Sequence, residues 1–218
     1  MNRLAQTLIR SILPLAFAGA AAAGATNVSI SVRDAAGAVV PEAVVSLEGA
    51  DRGSISSPAT VIVDQRDKQF VPQVTVIQPG TRVRFPNSDA VSHHVYSFAR
   101  PNAFELPLYK GGSRPEIRFE HEGIVTLGCN IHDAMLGWIV VVDTPHFGVT
   151  DARGSVTFPD VIPGDYRVRV WSPRLDPNRL LDAGSVVAGA DPVNVSAAVA
   201  RRLRGAPVTG GSLATGDY

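Results

Sequence analysis

Cysteine is almost absent from this chain of 218 residues: Cys129 is the only one. No internal disulfide can form, so its thiol is either free or bound to something else. Methionine is nearly as scarce, with Met1 and Met135 alone, and only Lys68 and Lys110 are lysines among 20 basic residues. Acidic residues also number 20, so no net field draws the chain to nucleic acid or to an anionic membrane. After the first 25 residues no apolar run approaches the roughly 20 residues that a membrane span needs. The longest is Trp138 to Val142, and no amphipathic helical period is evident in the same region.

Residues 1–25 have the features of an export signal. Arg3 and Arg10 precede an apolar stretch from Ser11 to Ala23, and Ala23-Gly24-Ala25 offers the small residues a signal peptidase accepts, with cleavage expected before Thr26. No twin-arginine pair is present, which implies export of an unfolded chain to the periplasm, where any metal would be acquired. Loss of Arg3 and Arg10 takes the formal charge from 0 to −2. An exposed thiol is a liability in an oxidising compartment, and coordination would remove it.

What remains alternates with a period of two. Val28, Ile30 and Val32 interleave with polar residues, Val83 and Phe85 with Arg82 and Arg84, and Val125, Leu127 and Cys129 share one parity. This is the pattern of half-buried strands. Turn signals at Asp34 to Gly37, Pro79-Gly80, Gly111-Gly112, Ala152 to Gly154 and Pro163 to Asp165 separate the strands, as in an all-β sandwich. Residues 99–116, with three prolines and two glycines, read as a long irregular surface connection. Residues 205–218 read as a flexible tail.

The chemistry concentrates in Gly128-Cys129-Asn130-Ile131-His132-Asp133-Ala134-Met135. A thiol, an imidazole and a thioether at successive spacings of three form a soft donor set that suits copper better than zinc, calcium or magnesium. Parity carries the Cys129 thiol inward with Val125 and Leu127, whereas His132 falls on the loop beyond the strand, its ring edge near solvent. A second imidazole is available upstream in Asn87-Ser88-Asp89-Ala90-Val91-Ser92-His93-His94-Val95. Adjacent strand residues point to opposite faces, so only one of His93 and His94 faces a shared ion. Two His and one Cys in a plane with a long Met bond make the blue-copper arrangement.

These residues resemble those of the small blue (type 1) copper proteins of the cupredoxin superfamily. The Cys-x-x-His-x-x-Met loop is similar to that of the amicyanins, and plastocyanin's is two residues longer. Both relatives have an Asn six residues before the first copper histidine and a Val two after it, matching Asn87, His93 and Val95, and this spacing favours His93 as the ligand. In the relatives an Asn usually follows that histidine and supports the site from outside; here the position is His94, which either takes over that hydrogen bond or is itself the ligand. Phe70-Val71-Pro72 and Pro79 to Phe85 resemble the opening strands of the same fold. The resemblance implies a cupredoxin domain over residues 58–143 that holds one copper ion through His93, Cys129, His132 and Met135, cycling between Cu(II) and Cu(I).

The flanks, residues 26–50 and 144–200, resemble the two parts of a carboxypeptidase regulatory-like (transthyretin-like) β-sandwich, so that the copper domain is inserted in, or appended to, a second sandwich. Val193, Val195, Ala197 and Val199 add a last strand to it. The function implied is single-electron transfer between redox proteins such as a dehydrogenase and a c-type cytochrome, with an amine-oxidation chain as one context and no catalytic residue. The alternatives are a copper carrier or storage module and a structural β-sandwich binding protein. Exposed Met-rich sites are usual in carriers, and one Met after signal removal counts against the first. With five histidines and no His-x-His cluster, a second class of copper site of the kind found in multicopper oxidases and nitrite reductases is not expected. His121 and His146 read as solvated or packing residues. Nucleophilic catalysis by Cys129 would leave His93 and Met135 without a role.

Overall fold

The computed structural model describes residues 24–49, 51, 60–112, 114–189 and 191–204. The expected export signal, apart from Gly24 and Ala25, and the expected tail lie outside them. Among the described residues every regular element is a strand, and no helix is long and apolar enough to cross a membrane. The chain is all-β.

In chain order the strands are β1 (Thr26–Arg33), β2 (Val44–Gly49), β3 (Val61–Ile62), β4 (Asp64–Arg66), β5 (Gln69–Val71), β6 (Val74–Ile77), β7 (Thr81–Arg84) and β8 (His93–Ser97). They continue as β9 (Phe104–Tyr109), β10 (Glu116–Phe119), β11 (Gly123–Gly128), β12 (Leu136–Val141) and β13 (Phe147–Val149). The last are β14 (Ser155–Val161), β15 (Gly164–Trp171), β16 (Leu181–Ala188) and β17 (Val193–Ala198).

The two chain ends combine. β1 lies between β14 and β17, with Val28 opposite Phe158 on one side and Val193 on the other, and β2 lies between β13 and β15. The sheets β14-β1-β17 and β13-β2-β15-β16 enclose a core in which Val28, Ile30 and Val32 meet Val45, Leu47, Phe158, Val168 and Val170. Glycine is required at 37 and 154, where φ is +82° and +73°. At Gly154 even a methyl group would come within 3.0 Å of the Val32 carbonyl.

The strands between β2 and β13 form a second sandwich. Its sheets are β10-β7-β3 and β6-β12-β11-β8-β9, with β4 and β5 as a separate hairpin. Phe70, Val83, Phe85, Val95, Phe119, Val125, Leu127, Ile139 and Val141 fill its interior, and Cys129 and Met135 close the same cluster at one end. The stretch 99–116 departs from the expected irregular connection: Phe104–Tyr109 forms a strand paired with β8. It lies at the edge of its sheet, where Pro107 need not donate a ladder hydrogen bond; Leu106 turns inward, but the register shifts between Leu106 and Tyr109 and leaves Leu108 exposed.

β12 is buried on both faces. Ile139 and Val141 point into the second sandwich, while Trp138, Val140 and Val142 form a third apolar cluster with Val44 and Trp171 of the flanking sandwich. The Trp138 and Trp171 rings lie 6.1 Å apart, centroid to centroid. Two-sided burial accounts for the unbroken Trp-Ile-Val-Val-Val run, which lacks the alternation of a one-sided strand. A fragment of residues 58–143 would present Trp138, Val140 and Val142 to water. It is expected to self-associate in sedimentation experiments, and Trp138→Ser with Val140→Thr and Val142→Thr should keep it monomeric; a monomeric unmodified fragment would contradict this account of the interface.

Candidate metal centre

The site is built where β8 and β11 run side by side, with Gly128 opposite Tyr96. Cys129 follows directly on β11 and is 3% exposed, inward like Val125 and Leu127. Beyond it the chain makes two successive turns: the His132 N–H donates to the Cys129 carbonyl at 3.4 Å, and the Met135 N–H to the His132 carbonyl at 2.8 Å. Spacing of three therefore corresponds to one turn each, which returns His132 toward Cys129 and delivers Met135, fully buried, to the core cluster that contains Cys129.

His93 is wholly buried on β8. Its Nδ1 lies 3.7 Å from Cys129 Sγ, and His132 Nδ1 lies at the same distance. The donor atoms of His93, Cys129 and His132 are all within 4.8 Å of one another, and the two rings are 4.9 Å apart. One thiol proton can bridge to only one of two nitrogens, so an S–H···N hydrogen bond satisfies half of this arrangement. A metal ion satisfies all of it. Bonds of about 2.0 Å to nitrogen and about 2.3 Å to sulfur, opened to between ~110° and ~120°, set nitrogen and sulfur about 3.5–3.7 Å apart.

Asp89 fixes the upstream imidazole. The His93 Nε2 donates to its Oδ2 at 2.7 Å, which leaves Nδ1 with a free lone pair on the side of the thiol. The same carboxylate accepts the N–H groups of Asp67 at 2.6 Å and Lys68 at 2.9 Å. Those residues form the β4–β5 turn with φ of +53° and +56°, a conformation that disfavours side-chain-bearing residues. Burial alone would raise the Asp89 pKa; the Lys68 N–H, the His93 ring and the Asp67 N–H outweigh it and hold the carboxyl below its usual value. Burial, then the proximity of His93 and Lys68, depresses the His132 pKa, with Asp89 in partial opposition. The shift favours the neutral imidazole, the form whose lone pair can coordinate.

His94 points the other way. Its Nε2 pairs with Glu105 Oε1 at 2.9 Å, and its ring lies 5.5 Å from that of Tyr96 on the outer face of β8. Asn87 braces the loop: its Nδ2 donates to the carbonyls of Val91 at 2.9 Å and Tyr109 at 3.1 Å, while its Oδ1 accepts the Asp89 N–H at 2.9 Å. A further layer was not evident from spacing. Gln65 Nε2 donates to the Tyr109 hydroxyl, which donates to the Phe85 carbonyl at 2.8 Å, and Tyr109 stands opposite His93 across the β8–β9 ladder. Burial raises the Tyr109 pKa to about 12, with Gln65 opposing and Cys129 and Asp64 contributing. The phenol thus remains a donor throughout the ordinary pH range. Among the other histidines, His146 packs edge-on against Tyr166 and bonds Asp51 at 3.0 Å, and the His121 carbonyl accepts from Asn102.

No protein-family description matches the chain, and no curated protein does. Solved copper proteins are similar to part of it. A Cu-containing nitrite reductase from Thermus scotoductus is 30% identical, with a TM-score of 0.38, over 40% of this chain and 23% of its own, so the chain spans less than a quarter of that protein. A purple cupredoxin from Nitrosopumilus maritimus is 26% identical over 38% of this chain and 99% of its own, with a TM-score of 0.34. A reduced amicyanin variant is 19% identical over 45% of this chain and 98% of its own, with a TM-score of 0.36.

Removing the His93 ring takes away a donor facing Cys129, whereas removing that of His94 takes away a partner of Glu105. Accordingly His93→Ala should abolish tight metal binding and His94→Ala should leave it within a few-fold. Asp89→Asn should lower affinity by about 10–100-fold, the usual cost of losing a carboxylate behind a ligating imidazole. Competition titration against a chelator measures all three, and greater damage from His94→Ala than from His93→Ala would reverse the assignment.

Proposed function

We propose that the chain is an exported, periplasmic protein whose second sandwich is a cupredoxin-type domain holding one type 1 copper ion, and that it carries single electrons between redox proteins. The observation that carries this reading is the convergence of one buried thiol and two imidazole nitrogens, with both N···S separations at 3.7 Å. Copper held there would supply one-electron chemistry.

The residues of the chain do the rest. Cys129, on a strand end fixed by the β11–β12 ladder, offers the strongest donor. His93 is locked by Asp89, and His132, its neutral form favoured, is half-buried at the surface, where an electron can enter or leave. Met135, buried in the same cluster as Cys129, would be a fourth, weaker donor that tunes the potential. A donor set with little freedom to rearrange suits electron transfer, because the geometry required by either oxidation state is reached without moving the scaffold. Ile131, next to His132 in the chain, is 50% exposed, and Val91, two residues before His93, is 42% exposed; these would supply apolar surface on which a dehydrogenase or a c-type cytochrome would dock. An amine-oxidation chain is one context for such a carrier. The flanking sandwich, built from residues 26–49 and 147–198, fits a carboxypeptidase regulatory-like module that supports the copper domain.

Cu(II) added to the purified protein should produce intense visible absorption from sulfur-to-copper charge transfer. Cys129→Ser should abolish the band, and Met135→Leu should retain colour while shifting the reduction potential. A colourless copper complex, or a band that survives Cys129→Ser, would overturn the assignment.

A further inference from the structure

The sheet β6-β12-β11-β8-β9 is covered on only part of its outer face. On the β12 side, Trp138 and Val140 are sealed against the flanking sandwich, with Ile124 and Leu136 at the margin of that cluster. On the β8 side, Tyr96 and Phe98 form an aromatic pair with centroids 5.0 Å apart, and Phe98 is 83% exposed. Between the two sides lies a cleft of about 410 Å3, which reaches the Pro177–Asn178 loop of the flanking sandwich. It continues the interdomain interface, since Ile124 and Leu136 belong to both.

At the base of the cleft the Tyr96 ring is seated on Gly128. A side chain there would meet the Tyr96 ring at 2.8 Å, so glycine is what lets Tyr96 fold down across the strand and leave room above it. The lining combines the Tyr96–Phe98 aromatic pair with aliphatic Ile124, Leu136 and Pro177. Aromatic side chains give a flat ring partners for stacked or edge-to-face contact that an aliphatic group does not use. Polar groups are few: the Tyr96 and Thr126 hydroxyls and the Asn178 amide. No charged side chain lines the cleft among the described residues, so an ionic ligand would lose hydration without gaining a partner. A few polar atoms in a mostly apolar cleft of this size are the usual features of a small-molecule site.

We propose that this cleft binds a neutral, planar aromatic molecule bearing hydroxyl or carbonyl oxygen, of the phenol and quinone class. The ring would rest against Tyr96, which itself covers Gly128, the residue before Cys129. None of its walls is a member of the His93, Cys129 and His132 cluster, so the site goes beyond the copper reading and does not depend on it.

The test is titration of the full chain with 2-naphthol, followed by calorimetry and by backbone amide NMR. Saturable shifts at Thr126, Gly128 and Asn178 are expected, with a one-site isotherm. Phe98→Ala, at an exposed position that the fold does not need, should weaken binding by about tenfold. Ile131→Ser, beside His132, should leave affinity unchanged, and naphthalene-2-sulfonate, the same ring with a charge, should bind more weakly. Shifts that do not saturate, shifts centred on His132, unchanged affinity in Phe98→Ala, or equal binding of the sulfonate would each overturn the proposal. The copper titration is read on Cys129 and this one on Phe98, so failure of either leaves the other result intact.

Discussion

Burying β12 on both faces is the constraint on which the rest of the structure depends. A strand with one wet face tolerates polar residues at every second position; Trp138, Ile139, Val140, Val141 and Val142 admit none, because alternate members belong to different cores. The strand pairs with β11 on one side and β6 on the other, so it cannot slide without breaking two ladders. Its first residue follows Met135 directly. The downstream end of the Cys129–Met135 loop is therefore attached to a strand paired on both sides, and the upstream end, Cys129, is attached to that strand's ladder partner.

The other imidazole is held by a different means. His93 is secured by a carboxylate that also closes a turn 21–22 residues earlier in the chain, so the orientation of one ring and the conformation of Asp67-Lys68 depend on the same two oxygens. Such sharing makes each interaction cheaper, since Asp89 is ordered once and serves three donors. Gln65 and Tyr109 continue the support through the backbone of β8's neighbour. The site is thus stiff on every side except at His132, where the loop meets solvent.

Much of this was legible from local rules, and what was not depends on distant partners. Parity along Val125, Leu127 and Cys129 shows which way the thiol points because a strand's side-chain period is invariant. Two spacings of three show that His132 and Met135 return to the same side because one turn closes in that interval. Residues 104–109 were hidden by Pro107, which marks a break in isolation and is harmless on an edge strand. Asp89 was hidden because nothing in Asn-Ser-Asp-Ala-Val-Ser-His says that a carboxylate will meet an imidazole four residues on and a turn far upstream. The unbroken apolar run of β12 does carry the mark of two-sided burial, although it does not name the second surface.

The discontinuity of the flanking sandwich has a consequence for the order of folding in a chain that emerges from its N-terminal side, as it does in export. β1 and β2 emerge first, yet their partners β14, β15 and β17 are made more than a hundred residues later. The inserted sandwich has all its strands once β12 is complete, and can close while the first two strands still wait with open edges. By closing, it brings the two halves of its host together, shortening the loop that the late strands must span. The domain that looks like a passenger in the final architecture is thus the assembler of the one that carries it.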